Sequence, residues 1–124
     1  MFCLRCASGL DLKMNEILYS FRETSFFTKL VSELLTDEEY TKLQWRLIEF
    51  PDAGDVIKSS GGIRKIRQSA KGKGTRGGAR VIYYFAAENQ EILMLDIYAK
   101  NEREDLSVEQ LRALKNLVEE WTKR

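Results

Sequence analysis

The stretch GGIRKIRQSAKGKGTRGGARVIYYF, from Gly61 to Phe85, decides how the chain folds. Near its two ends, residues 63–68 (IRKIRQ) and residues 80–85 (RVIYYF) predict short strands. Glycine pairs mark the limits of these runs, and the segment between them is rich in glycine and basic residues. The stretch therefore predicts two strands joined by a cationic loop, and ILMLDIY, residues 92–98, predicts another strand.

The sequence before this stretch predicts one strand and two helices. NEILYSF, residues 15–21, alternates like a strand, and SFFTKLVSELL, residues 25–35, carries apolar residues at helical spacing. Thr36 opens a T-D-E-E capping box, so a second helix begins there and ends at Pro51, the only proline. Apolar stripes of this kind are expected in the core: Phe26, Phe27, Tyr40, Leu43, Trp45, Leu47 and Phe50.

A third helix is predicted at the C-terminal end, where Ser107 opens an S-V-E-Q capping box. The resulting order, β-α-α-β-β-β-α, predicts an α+β domain with a small antiparallel sheet, a helical hairpin on one face and a C-terminal helix. A length of 124 residues suits one domain. We assign residues 1–13 to an irregular leader and residues 14–124 to the domain, because Met14 is itself a candidate start.

Side-chain alternation divides the predicted sheet into an apolar face and a polar face. If Ile66 points toward the helices, its two neighbours point away from them. In the last strand we expect Leu93, Leu95 and Ile97 in the core. Tyr83 is expected in the core as well, because it is two residues after Val81 and so lies on the same face of its strand. The same alternation predicts that six side chains lie on the opposite face: Lys65, Arg67, Arg80, Tyr84, Asp96 and Tyr98. Guanidinium groups hold phosphates and aromatic rings stack on bases, so this face suits a nucleic-acid strand.

The charges are unevenly distributed, although the net charge of the chain is only +1. Val56 to Arg80 contains eight basic residues and no acid, which leaves 12 basic and 19 acidic residues, or −7, in the remainder. Such segregation is typical of a protein that binds a polyanion. A solvated charged loop gives the same pattern, so charge alone leaves both interpretations open.

Three shorter motifs lack the context that their chemistry needs. Gly72, Gly74 and Gly77 spell G-x-G-x-x-G, but between two strands rather than between a strand and a helix. The Gly-Lys pair in the same loop has no Ser or Thr after it and no leading glycine before it, so it is not a P-loop. Cys3 and Cys6 form one C-x-x-C, and the chain has no histidine or other cysteine to complete a zinc site. The sequence therefore predicts neither a cofactor nor a metal.

The chain resembles the RelE superfamily of bacterial toxins, in particular its HigB-type branch. The resemblance rests on GGIRKIRQSAKGKGTRGGARVIYYF together with LDIYAKNEREDLSVEQ and on the predicted element order, and it covers roughly residues 15–121. It implies two helices against a curved antiparallel sheet. It also implies a metal-free endoribonuclease that cuts messenger RNA on the ribosome, an mRNA interferase. In that reaction the ribose 2′-hydroxyl attacks the adjacent phosphate and the 5′-oxygen leaves.

The resemblance also implies a set of catalytic residues. Lys65 and Arg67 match the cationic strand of the family. Arg80, expected as an exposed strand residue, matches the arginine that acts on the scissile phosphate, and Lys100 matches the basic residue after the last strand. We expect Arg64, Lys71, Lys73 and Arg76 to bind phosphates of the messenger or the ribosome.

The acid and the base of the reaction stay unassigned. Related members have an arginine and a tyrosine where this chain has Asn101 and Ser107. Histidine usually transfers the protons in such reactions, and this chain has none, so a lysine or tyrosine would have to do so. The candidates are Lys71, Lys73, Tyr84 and Tyr98.

The N-terminal apolar stretch is too short for a secretory signal and Arg5 interrupts it, so we expect a cytoplasmic protein. The resemblance implies three partners: a cognate helix-turn-helix antitoxin of the HigA type, the ribosome with its mRNA, and operator DNA through the antitoxin complex. No membrane partner is expected, because no apolar run approaches the roughly 20 residues that a membrane span needs. Two other functions stay open. One is a non-enzymatic toxin of the RelE/ParE fold that inhibits DNA gyrase, and the other is a plain RNA- or DNA-binding module.

Overall fold

A computed structural model describes residues 19–71, 78–100 and 105–123. The strands in these ranges are β1 (Ser20–Glu23), β2 (Asp55–Val56), β3 (Arg64–Gln68), β4 (Ala79–Ala86) and β5 (Glu91–Ala99). The α-helices are α1 (Ser25–Leu34), α2 (Asp37–Glu49) and α3 (Val108–Thr122). The predicted leader, residues 1–13, and the first residues of the predicted N-terminal strand lie outside the described residues.

The five strands form one mixed sheet in the order β1-β5-β4-β3-β2. β1 runs parallel to β5, from the pair Ser20 and Glu91 to the pair Glu23 and Met94, and the other neighbours are antiparallel. The α+β class is therefore confirmed, whereas a purely antiparallel sheet is wrong. Alternation identifies a strand but not its neighbour, so the direction of β1 could not be predicted. β2 was missed because two exposed residues carry no alternation.

The helices begin at the side chains that the sequence indicated. The Thr36 hydroxyl accepts from the Glu39 amide at 3.1 Å, and the Glu39 carboxylate accepts from the Thr36 amide at 2.9 Å. Ser107 and Gln110 make the same reciprocal pair ahead of α3. These bonds satisfy backbone donors that have no partner within the helix. Within the described residues, no helix is long and apolar enough to cross a membrane.

The sheet is covered on both faces. One core lies between the sheet and the hairpin of α1 and α2, and it includes Phe27, Leu43, Leu47, Tyr83 and Met94. A second core lies between the opposite face and α3: Ile63, Ile82, Leu93, Leu95, Tyr98, Leu114 and Val118. The open polar face predicted from alternation is therefore wrong over much of its area, because α3 packs on it.

Leu93, Leu95 and Ile97 are fully buried, as predicted, but a β-bulge in β5 places them on two faces of the sheet rather than on one. Ile82 is opposite Asp96 and Tyr83 is opposite Met94, so Leu95 is the extra residue. Leu93 and Leu95 consequently face α3, whereas Ile97 belongs to the core under the helical hairpin. Period-two alternation cannot be counted across such an insertion.

Two of the aromatic residues predicted as core are exposed. Phe27 is fully buried, but Phe26 is 58% exposed, because consecutive helical residues point about 100° apart and only one of them can face the sheet. Phe50 is also 58% exposed, since it follows the last residue of α2 and leaves the helical stripe. Trp45 is partly buried against the core, as predicted.

Candidate phosphate-binding cleft

A cleft of about 530 Å³ opens at the β3 side of the sheet. It is lined by Arg46, Ala53, Asp55, Lys65, Ile66, Arg67, Arg80 and Lys100. Five of these eight residues are basic and one is acidic, and we call this site the cationic cleft. The structure thus brings together four residues that the sequence predicted as catalytic, Lys65, Arg67, Arg80 and Lys100, although they come from three different segments of the chain.

The strand register places the two central arginines of the cleft directly opposite each other. Arg67 of β3 is directly opposite Arg80 of β4, and Arg80 is in turn opposite Tyr98 of β5. The two arginines therefore share one face of the sheet inside the cleft, and guanidinium groups arranged in this way can hold a phosphate.

Arg80 forms the buried wall of the cationic cleft, which corrects the prediction that it is exposed. The residue is only 6% exposed, and Nη1 donates to the Ala79 carbonyl at 3.4 Å. Charges interact more strongly where water is excluded, because the effective dielectric constant is lower. A phosphate that reaches Arg80 would therefore be held more firmly than one at an exposed arginine.

Lys100 reaches the cleft from the end of β5. Its backbone amide donates to the Gly78 carbonyl at 3.0 Å, which fixes the chain beside the start of β4. The Lys100 side chain is exposed at the rim. The family pattern predicted this position, and the structure places it in the cleft.

Lys65 forms a salt bridge at the rim of the cleft. Its Nζ lies 3.2 Å from Oδ1 of Asp105, which precedes α3. The Lys65 side chain is 31% exposed and that of Asp105 is 67% exposed. Exposed ion pairs contribute about 0.2–1 kcal/mol, so a phosphate can displace Asp105 from Lys65.

Arg46 was missed by sequence reasoning. It lies in the last turn of α2, is exposed, and donates from Nη1 to the Arg67 carbonyl at 3.2 Å. A single arginine on the solvent side of an amphipathic helix carries no signal in the sequence, because most such residues are simply solvated. Only the packing of α2 beside β3 shows that it reaches the cleft.

Tyr84 and Tyr98 do not line the cationic cleft. Tyr98 is 3% exposed and lies in the core under α3, and Tyr84 is partly buried against the same core. Tyr84 lines a different pocket, together with Glu88 and Thr122. The structure therefore does not bring either tyrosine together with Lys65, Arg67 and Arg80 in the cleft.

The residues predicted to bind RNA phosphates also lie apart from the cleft where they are described. Arg64 donates to the carbonyls of Asp52 and Gly54, at 3.2 and 2.7 Å, and so braces the loop ahead of β2. Lys71 is held on the helical hairpin, where its amide donates to Glu39 and its Nζ donates to the Glu33 carbonyl, both at 2.7 Å. The predicted residues Lys73 and Arg76 lie outside the described residues.

Tyr83 supports the same loop from inside the core. Its hydroxyl donates to the Pro51 carbonyl at 2.7 Å and accepts from the Gly54 amide at 2.9 Å. Burial raises the pKa of Tyr83 above its ordinary value of 10.0, so the phenol stays protonated at neutral pH. Tyr83 is therefore a structural residue, as predicted from its position on the same strand face as Val81.

No family model matches the chain. Among residues 19–71, 78–100 and 105–123, no group of three or more histidine, cysteine, aspartate or glutamate side chains is arranged to hold a metal ion.

Proposed function

We propose that this protein is a RelE-type toxin that cleaves messenger RNA on the ribosome, and that the cationic cleft holds the scissile phosphodiester. The supporting observation is that five basic side chains from α2, β3, β4 and the end of β5 converge on one cleft. Four of them are positions at which the sequence resembles the family's catalytic residues. The resemblance further implies a cognate helix-turn-helix antitoxin as the partner that inhibits the toxin.

The chemistry assigns different roles to the arginines and the lysines. When the 2′-hydroxyl attacks the phosphate, negative charge grows on the non-bridging oxygens, and fixed donors placed there lower the barrier. Arg67 and Arg80, side by side in the register, provide these donors. Arginine stays protonated in proteins, so it stabilises charge but does not exchange protons.

Proton transfer therefore falls to the other polar side chains of the cleft. The ammonium groups of Lys65 and Lys100 are donors and can protonate the departing 5′-oxygen. Asp55 is the one lining side chain, among the described residues, that accepts a proton, so it is the candidate base for the 2′-hydroxyl. It lies directly opposite Lys65 in the β2–β3 pairing.

The test is primer extension on a message translated in a purified system, with and without ribosomes. We expect cuts that appear only when ribosomes are present, and we expect Arg67→Ala to remove them. Lys42→Ala is the matched control, because Lys42 is an exposed cation on α2 that does not line the cleft. Intact messages with the wild-type protein would refute the proposal. Intact messages combined with DNA-damage signalling in cells would favour gyrase inhibition, and harmless expression would favour a plain binding module.

A further inference from the structure

We propose that Arg46 is a second phosphate-binding point of the cationic cleft, and that it holds the phosphate next to the one placed between Arg67 and Arg80. The ligand that fills the cleft would then carry at least two consecutive phosphodiesters. This inference rests on the proposed function and extends it to the length of RNA that the cleft recognises.

The position of Arg46 is set by the end of β2. β2 pairs with β3 only at Arg64 and Lys65, so Arg67 lies beyond the residues that β2 covers. Arg46 comes from α2 to this uncovered part of β3 and donates to the Arg67 carbonyl at 3.2 Å. The bond orients the guanidinium at the cleft and uses one of its five N–H donors, which leaves the others for a ligand.

The neighbours of Arg46 make this position rigid. Leu47 and Ile48, the next residues of α2, are buried in the core under the helical hairpin. The backbone that carries Arg46 is therefore fixed by packing, and its guanidinium is further fixed by the Arg67 carbonyl. A cation held in this way loses less conformational entropy when it binds a phosphate than a free surface arginine does.

The charge and the size of the cleft exceed the needs of one phosphate. Five basic residues and one acid line it. A single phosphodiester carries one negative charge. A volume of about 530 Å³ is also that of a site for a whole small ligand rather than for one ion.

The experiment measures binding of short 2′-O-methyl RNA, which cannot be cleaved, by fluorescence anisotropy at several salt concentrations. With a longer strand, Arg46→Ala should reduce the slope of log affinity against log salt by about 0.7, the value for one lost contact to a single strand. Arg46→Lys keeps the charge and should keep the slope. Lys42→Ala, one helical turn earlier on α2, is the matched control and should change nothing.

The length of the RNA ligand distinguishes the phosphate bound by Arg46 from the phosphate bound by Arg67 and Arg80. We expect Arg46→Ala to bind a dinucleotide, which has one phosphodiester, as the wild-type protein does, and to bind a trinucleotide more weakly. The inference would be overturned if Arg46→Ala bound both the dinucleotide and the trinucleotide as tightly as the wild-type protein does and left the salt slope unchanged.

Arg67→Ala distinguishes that failure from failure of the proposed function. If Arg67→Ala lowers the slope and Arg46→Ala does not, only the role of Arg46 is lost. If neither variant changes the slope, the cationic cleft is not the RNA site at all. Thermal melting of each variant shows whether the fold is intact.

Discussion

Tyr83→Phe should destabilise the protein by leaving two backbone groups of the 51–54 loop without partners. The hydroxyl donates to the Pro51 carbonyl and accepts from the Gly54 amide, and the tyrosine is fully buried. Removing one partner from a buried hydrogen bond costs about 1–3 kcal/mol, so two such bonds place the loss at the upper end of that range. Chemical denaturation at neutral pH measures it.

The same residue gives the prediction a pH dependence with a definite sign. Because burial raises the pKa of Tyr83 above 10.0, the folded state keeps its proton at a pH where the unfolded chain loses it. The contribution of Tyr83 to stability is complete below pH 10 and is lost as the pH rises through the folded-state pKa. The difference in unfolding free energy between wild type and Tyr83→Phe should therefore shrink at high pH, by at most about 1.4 kcal/mol per pH unit.

Tyr84→Phe is the control, because it removes the same atom from the next residue. Tyr84 is partly buried against the core under α3, and within residues 19–71, 78–100 and 105–123 its hydroxyl makes no hydrogen bond. We expect it to change the unfolding free energy by less than about 0.5 kcal/mol. If Tyr83→Phe were as mild as Tyr84→Phe, and its effect did not vary with pH, the account of the 51–54 loop would be wrong.

Two further predictions concern the rim of the cationic cleft and the turn before β3. Asp105→Asn frees Lys65 and should tighten binding of 2′-O-methyl RNA up to about fivefold, the equivalent of an exposed ion pair, and in a Lys65→Ala background it should have no effect. Weaker binding by Asp105→Asn would mean that the carboxylate positions Lys65 rather than competing with RNA. Gly62→Ala should lower the melting temperature more than Gly61→Ala. Both glycines have positive φ, at 108° and 77°, but only a Cβ on Gly62 meets another side chain, Tyr84 Cε1 at 3.3 Å. Equal melting temperatures would contradict this reasoning.

Local signals in the sequence predicted the helices well, because a cap and a stripe of apolar residues act within a few positions. Thr36 with Glu39, and Ser107 with Gln110, make the bonds that their spacing indicated. The central strands were also predicted, from short runs whose ends glycines punctuate. What these signals do not contain is the partner of an element, so neither the parallel placement of β1 nor the packing of α3 on the sheet could be read from them.

The cationic cleft was predictable in part for the same reason. Lys65, Arg67 and Arg80 share one face by simple alternation, and their neighbourhood in the structure follows from the β3–β4 register. Lys100 was found through the resemblance to a known family. Arg46 depends on how α2 lies against β3, and the burial of Tyr98 depends on α3. Both are long-range contacts that no local pattern encodes.

The parallel pairing of β1 with β5 has a consequence for synthesis of the chain. Ser20 pairs with Glu91, so β1 cannot pair with β5 until about seventy more residues have been synthesised. While the nascent chain emerges, α1 and α2 have no β5 to cover, and their apolar sides stay accessible to chaperones. Lys100 follows β5 directly, so the cationic cleft is completed only after most of the protein has been made. A truncated translation product would therefore carry the helical hairpin without the cleft, and we expect it to be inert.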